Sequence, residues 1–278
     1  TSIDGVINAK SKGENTQGGK IESSGKRLQI SETTSINTNG GLWLLDPTDI
    51  TIESTGSESD LTSSSIKGSF LSAFLTNNSI TLSADNNITI NDAITWDSAS
   101  TLSLIAGHNI AINNAISATV SGGGQINLTA SSVAQSNDVG AAISTNMLRV
   151  YTSAGLILTN SNNAIASVEL VNKSTSGVAS GNIAFTSSRS IVGFYHNQYD
   201  TANNIIGSYY QPSYIEQRGA LGSTVSVTAA SIDQLVINKQ DGVRYLFTAT
   251  EGNITLNLVN QTISTTGTIS YADVDTSN

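Results

Sequence analysis

The sequence predicts an all-β protein, a right-handed parallel β-helix (β-solenoid) with loop insertions on its flank. Three observations predict it: an internal repeat, a period-two alternation of apolar and polar residues, and a composition poor in charge and proline. The repeat is clearest between Ile80 and Ala130. Ile80-Thr81-Leu82-Ser83-Ala84-Asp85-Asn86-Asn87-Ile88-Thr89-Ile90-Asn91-Asp92-Ala93-Ile94 is followed by Leu102-Ser103-Leu104-Ile105-Ala106-Gly107-His108-Asn109-Ile110-Ala111-Ile112-Asn113-Asn114-Ala115-Ile116. About half the aligned positions are identical, and the offset of about 22 residues lies in the range of repeat architectures. A third copy begins at Ile126-Asn127-Leu128-Thr129-Ala130, slightly late because Ser121-Gly122-Gly123-Gly124 loosens the preceding turn.

Each copy contains short runs such as Ile88-Thr89-Ile90, separated by Asn, Gly, Asp and Ser. Period two is a strand signal, and strands this short cannot build a core alone. Apolar residues at i and i+2, with β-branching throughout, fit no helical stripe. The consistent solution is a stack of coils in which Ile88 sits over Ile110 and Leu82 over Leu104. At ~22 residues per coil and ~4.8 Å per stacked strand, the chain makes roughly a dozen coils in a rod ~55–60 Å long. Residues 1–278 are expected to form a single elongated segment, with extra-helical insertions at 53–76 and 193–219.

Only 12% of the 278 residues are charged, which suits the outer faces of a stack because like charges one strand apart repel. Two prolines suit ladders that need every backbone N–H. The net charge of −9 is dispersed and Lys and Arg never cluster, which argues against nucleic acid or an anionic membrane as partner. The chain has no cysteine, hence no disulfide or thiolate chemistry. It begins Thr1-Ser2-Ile3 with no signal-type apolar region and is read as a mature piece or excised fragment. No run of ~20 apolar residues is present, so no membrane-spanning segment is expected.

In chain order, strand signals appear at Gly5-Val6-Ile7, Lys20-Ile21-Glu22, Leu28-Gln29-Ile30 and Thr34-Ser35-Ile36, with Gly18-Gly19 and Gly40-Gly41 as turns. Next comes Gly41-Leu42-Trp43-Leu44-Leu45-Asp46-Pro47-Thr48-Asp49-Ile50-Thr51-Ile52. This segment, followed by the repeats from Asn78 to Asn91 and their copies, resembles the signature and repeat order of bacterial two-partner secretion exoproteins of the filamentous haemagglutinin and high-molecular-weight adhesin type. The resemblance covers roughly residues 40–130. It implies a secreted or bacterial cell-surface adhesin, part of the virulence apparatus, exported through an outer-membrane transporter. Independently of it, Pro47 ends a strand, Asp46 can accept backbone N–H groups in the turn, and Trp43 supplies a large apolar plate. Trp43, Leu44, Leu45, Asp46 and Pro47 are thus expected to shape a coil corner.

Within 53–76, Ser54 to Asp60 reads as a solvated loop. Ser69-Phe70-Leu71-Ser72-Ala73-Phe74-Leu75 reads as a short helix on the flank, a strand being the alternative. Rungs continue at Leu148-Arg149-Val150, Leu156-Ile157-Leu158 and Val168-Glu169-Leu170. Gly193 to Gly219 then concentrates Phe194, Tyr195, His196, Tyr199, Tyr209, Tyr210, Tyr214 and Arg218. Aromatic side chains on an inserted loop give contact area at little entropy cost. Tyr195, Tyr199, Tyr209, Tyr210, Tyr214 and Arg218 are therefore the candidate binding residues; the other reading is that the loop folds back and its tyrosines seal the flank. Strand patterns resume at Thr224-Val225-Ser226-Val227-Thr228, Gln234-Leu235-Val236-Ile237, Tyr245-Leu246-Phe247-Thr248 and Asn253 to Leu258, before a polar tail from Tyr271.

Many parallel β-helices cleave polysaccharides with paired carboxylates, or with calcium and a base. Here Asp85 and Asp92 stand where the next coil has Gly107 and Asn114, so they form no carboxylate ladder. His108 replaces Asn86 in a turn, and His196 has only Asp200 nearby. No catalytic residue, metal or cofactor is assigned, and nucleotide, hydrolase and zinc motifs are missing. Asn-x-Ser/Thr sequons occur at Asn77, Asn87, Asn127, Asn172, Asn253 and Asn260 in a chain where such triplets arise by chance. The expected function is a rigid adhesin stalk whose loops attach to a host or neighbouring-cell glycan or protein, with self-association of rods as a further expectation. A toxin-delivery or haem-acquisition stalk is the first alternative, and a β-helix enzyme the second.

Overall fold

Ile88, Thr89 and Ile90 lie beside Ile110, Ala111 and Ile112 in a parallel ladder, and Leu82 pairs with Leu104 in the adjoining one. The chain is an all-β parallel solenoid. It is described here from a computed structural model covering residues 2–9, 18–24, 29–30, 34–38, 41–55, 64–118, 124–175, 178–199, 205–218, 223–238, 244–248, 252–257, 262–265 and 270–274. Two large sheets, of 13 and 10 strands, run along the stack. The first begins with Lys20–Ser24, Leu42–Asp46, Ser79–Ala84 and Thr101–Ala106. The second carries the three-residue strands Ile50–Ile52 and Ile88–Ile90 and their successors. A short branch, Ile94–Trp96 beside Ile116–Ala118 and then Ile143, forms a third face.

The core is a set of vertical columns. Leu45, Leu82, Leu104, Leu128, Val150, Leu170 and Ile215 follow one another in register, each fully buried. Each such side chain contributes about 1.5–3 kcal/mol by leaving water, and its alternating neighbours face outward. The second sheet's column Ile52, Ile90, Ile112 is interrupted at Gln135. Gln135 forms a reciprocal amide pair with Asn163, at 2.7 and 2.9 Å. The corners stack too: Asn109 Nδ2 donates to Asn87 Oδ1 at 3.2 Å and Asn113 Nδ2 to Asn91 Oδ1 at 2.9 Å. His108 is a turn residue, its N–H donating to Asn86 O at 2.7 Å. Beside it, a Cβ on Gly107 would lie 2.0 Å from Asp85 O, so this turn can sit on the one below only with glycine.

The run Gly68–Leu75 is an α-helix, α1. Leu71, Phe74 and Leu75 are buried, with the Phe74 ring 5.0 Å from Trp43 and 4.4 Å from Phe70. Helix α1 packs on the Ile94–Trp96 strand, covering the end of the third face. The excursion expected over 53–76 does not leave the stack throughout. Ser64–Ile66 pairs in parallel with Ile50–Ile52, because Ile66 extends the buried aliphatic column.

Two further expectations need correction. The excursion at 193–219 is an antiparallel hairpin of Phe194–Tyr199 and Ile205–Gln211, after which Ser213–Gln217 rejoins the first sheet; Ile215 is a core residue, so its strand belongs to the ladder. Parallel stacking also does not continue to residue 278. Arg244–Thr248, Gly252–Asn257, Thr262–Thr265 and Ser270–Val274 pair antiparallel, covering the edges of Gln234–Asn238 and Thr224–Ala229. Arg244–Thr248 turns back on Gln234–Asn238 and Thr262–Thr265 on Gly252–Asn257, while Gly252–Asn257 crosses to Thr224–Ala229 and Ser270–Val274 to Arg244–Thr248. The added strands cover edges of the parallel ladders that would otherwise template aggregation.

Candidate functional site

The outward rows of the first sheet change character along the stack. Thr81, Ser103 and Asn127 are followed in register by Arg149, Glu169 and Tyr214, and the next row holds Tyr151, Val171, Glu216 and Asn238. Arg149 Nε donates to Glu169 Oε2 at 3.2 Å and its Nη1 to Gln125 Oε1 at 2.7 Å. Tyr151 donates its hydroxyl to Glu169 Oε1. Arg218 Nε and the Tyr214 hydroxyl both donate to Glu216, at 2.6 and 2.8 Å, while Lys173 lies 4.0 Å from it. Asn238 Nδ2 donates to the Tyr214 oxygen at 2.7 Å.

These contacts set the charge states. Burial works to raise the Glu216 pKa, but the hydrogen bonds from Arg218 and Tyr214 and the charges of Arg218 and Lys173 outweigh it and hold the carboxyl below the usual range. Burial, the hydrogen bond to Glu169 and that residue's charge push the Tyr151 hydroxyl well above the usual phenol range, so it remains a donor. Among the described residues, two side-chain acceptors are buried without a hydrogen-bond partner, Asn127 Oδ1 and Asn238 Oδ1, and both belong to these rows. Unmet demand of this kind is uncommon in a folded interior, and here it falls on the same face as the charges.

The tyrosine hairpin is rooted beside this face. Ser167 Oγ donates to Gly193 O at 3.3 Å, and the Arg149 guanidinium stands 5.7 Å from the Phe194 ring centroid. A Cβ on Gly193 would lie 2.6 Å from the Tyr210 ring, so glycine lets that ring close on the hairpin base. Directly opposite residues of a ribbon share a face: Tyr195 pairs with Tyr210, their rings 5.2 Å apart and edge-to-face. Tyr195 is 72% exposed, Tyr210 43% and Tyr209 41%. The structure thus brings Tyr195, Tyr209 and Tyr210 onto one projecting ribbon and places Tyr214 and Arg218 on the shaft around Glu216. The side chains of Tyr199 and His196 lie outside the described residues.

Trp43, Leu44, Leu45 and Asp46 belong to the strand Leu42–Asp46 and so to the ladder, and of the five residues expected to shape a coil corner only Pro47 lies beyond it. Trp43 and Leu45 are fully buried, Leu44 is half-buried, and the Trp43 Nε1–H donates to Ser23 Oγ at 3.2 Å. Pro47 follows the last residue of its strand, Asp46. The carboxylate that accepts a backbone N–H here is that of Asp49, from Asn87 at 3.1 Å, where the sequence pointed to Asp46. The reason is register: Asp49 immediately precedes Ile50, which stacks on Ile88, so Asp49 lies beside Asn87.

Sequence reasoning missed Arg149, Tyr151, Glu169 and Glu216 as a group. Glu169 and Tyr214 are partners 45 residues apart, so no spacing rule links them; the alternation Arg149-Val150-Tyr151 was the available signal. Of the sequons, Asn77 is exposed beside α1, Asn87 and Asn127 are half-buried in side-chain hydrogen bonds, and Asn172 is buried against Gln217. The side chains of Asn253 and Asn260 lie outside the described residues. Among the described residues no three His, Cys, Asp or Glu side chains gather into a metal cage, and no helix is long and apolar enough to cross a membrane. Comparison with known proteins finds no matching family model, no matching curated protein and no matching solved structure. The class of protein is therefore defined by its own register, as an all-β parallel solenoid.

Proposed function

We propose that this chain is a segment of a secreted, surface-held bacterial adhesin of the two-partner secretion type, a stiff shaft that presents an aromatic ribbon to a glycan or protein on another surface. The observation that carries this reading is the ribbon itself. Tyr195, Tyr209 and Tyr210 are exposed on a hairpin whose base is tied to the ladder, and rigid aromatic anchors of this kind supply contact at low entropic cost. The neighbouring charged face adds a fixed carboxylate and tyrosine hydroxyls that can meet a polar ligand. Stacking coils without cysteines also suits export of an unfolded chain through an outer-membrane transporter, with folding by addition of coils.

The test is binding of the purified chain to whole cells and to an immobilised glycan and matrix-protein panel. Changing Tyr195, Tyr209 and Tyr210 together to Ser is expected to cut binding at least about tenfold, the loss of about 1.4 kcal/mol or more, with the circular dichroism spectrum unchanged. Undiminished binding of that variant overturns the ribbon as the contact surface. Tyr214 is left in place because it is held between Glu216 and Asn238 on the shaft.

A further inference from the structure

The two sheets differ in one respect that the attachment reading does not use. None of the 10 strands of the second sheet contains Asp, Glu, Lys or Arg, although the whole chain carries a net charge of −9. The first sheet carries Lys20, Glu22, Asp46, Arg149, Glu169 and Glu216 in its parallel strands. The outward column of the second sheet runs in register through Thr51, Thr89, Ala111, Ala134, Ile157 and Ala184. Its members are uncharged and, apart from Ile157, small; Ile157 is 52% exposed. Small side chains on a regularly stacked sheet let a second sheet approach to about 10 Å.

We propose that this face is where a second copy of the chain packs, laterally and antiparallel, about a twofold axis that lies in the plane of the contact and crosses the shaft at right angles. Charge selects the occupant. Two bodies of the same negative charge repel least when they meet through the face poorest in charge. Here Asp49 and Glu53, the latter accepting from Ser65 Oγ, border only the rung Ile50–Ile52, near one end of the sheet. A twofold contact requires that face to complement itself. With the axis near the middle of the column, between Ala111 and Ala134, Ile157 lies opposite Thr89 of the second copy and an alanine meets an alanine at the centre. Size sets the strength. Eight parallel rungs at ~4.8 Å by a width of ~15 Å give ~500 Å² per copy, or ~1,000 Å² in total, the lower end for a specific interface. The contact is therefore a reversible dimer with a Kd of roughly 10–1,000 μM, strengthened when many copies stand on one surface.

Sedimentation velocity over a concentration series tests this on the intact chain. A dimer is expected to form within that range and to gain population with added salt, which screens the residual repulsion. Ile157→Lys places a cation on the face of each copy and is expected to weaken the dimer at least about tenfold, with the circular dichroism spectrum retained; the triple tyrosine variant is expected to leave it intact. As an independent readout, Ala134→Cys gives the chain a single thiol. Two such thiols across the contact lie too far apart for a direct disulfide, and a short bis-maleimide is expected to link them into a dimer, while Ser103→Cys on the first sheet remains monomeric. A wild-type chain that stays monomeric throughout, a dimer indifferent to Ile157→Lys, a dimer lost with the tyrosines, or equal cross-linking at both cysteine positions each overturns the proposal. A wild-type chain that binds the surface yet forms no dimer sinks this inference and leaves the attachment reading standing.

Discussion

Asp92 Oδ2 accepts a hydrogen bond from the backbone N–H of Gly68 at 3.0 Å, so a carboxylate from one coil caps the helix of the coil before it. Lys67, the residue at the helix N-cap, makes no side-chain cap bond. Asp92 Oδ1 meanwhile accepts from the N–H of Ala93 at 3.0 Å, just as Asn114 accepts from Ala115 one repeat later at 2.8 Å. The amide thus suffices for the corner, and the acid at residue 92 answers to α1. Asp92→Ala is expected to lower stability by about 1–2 kcal/mol and Asp92→Asn by less, since the asparagine keeps the corner and loses only the charge facing the helix dipole. Urea titration followed by tryptophan fluorescence is the measurement, Trp43 lying against Phe74 and Trp96 in the strand on which α1 packs.

Ile110 stands between Ile88 and Val133 in its column and is 1% exposed. Ile110→Ala is expected to cost about 2–5 kcal/mol, because neighbours fixed by two ladders cannot collapse into the void. Equilibrium denaturation checks it.

Excision of residues 88–109 joins Asn87 to Ile110 and removes one repeat. Ile110 then occupies the place of Ile88 over Ile50, and Asn114 that of Asp92 near Gly68. The shortened chain is expected to fold, with the same circular dichroism per residue and lower stability, since nearest-neighbour terms are lost without any change of register. Failure to fold at any temperature counts against interchangeable coils.

Acid is expected to weaken the fold partly through Glu216. Its folded-state pKa lies below the ordinary value of about 4.3, so in that window the unfolded chain binds more protons. The stabilisation is present above the unfolded value and disappears as pH falls through the folded one. Tyr151 has the opposite sign: its pKa is raised, so its contribution is present below about 10 and is lost as pH rises above that. Urea midpoints at acid, neutral and alkaline pH should show Glu216→Gln flattening the acid limb and Tyr151→Phe the alkaline one.

Incubation with a polysaccharide panel is expected to release no reducing ends or unsaturated products. Glu216 is held ionised and bonded to Arg218 and Tyr214, and Glu169 is bonded to Arg149 and Tyr151, so neither carboxyl is presented as a free acid opposite a free base. Release that disappears in Glu169→Gln or Glu216→Gln would establish an enzyme.

The ladder was legible because the chain repeats the same hydrophobic decision every coil; Ile88 with Ile110 and Leu82 with Leu104 follow from the offset alone. Helix α1 was readable from Phe70, Leu71, Phe74 and Leu75, whose spacing suits one helical face over Trp43. The antiparallel end was hidden, since Tyr245-Leu246-Phe247 alternates as a parallel rung does and pairing direction leaves no mark on alternation. The charged face was hidden for another reason. Arg149, Glu169 and Glu216 are ordinary outward residues one at a time, and only the register brings them together.

Arg149 and its partner Glu169 are 20 residues apart in the chain, whereas Glu169 and its next partner Tyr214 are 45 apart, and the ladder crosses both intervals without a break. The extra chain enters and leaves at Gly193 and Ser213, both anchored to the preceding coil. That junction is a port into which other sequences can be grafted while the scaffold that carries them keeps its geometry.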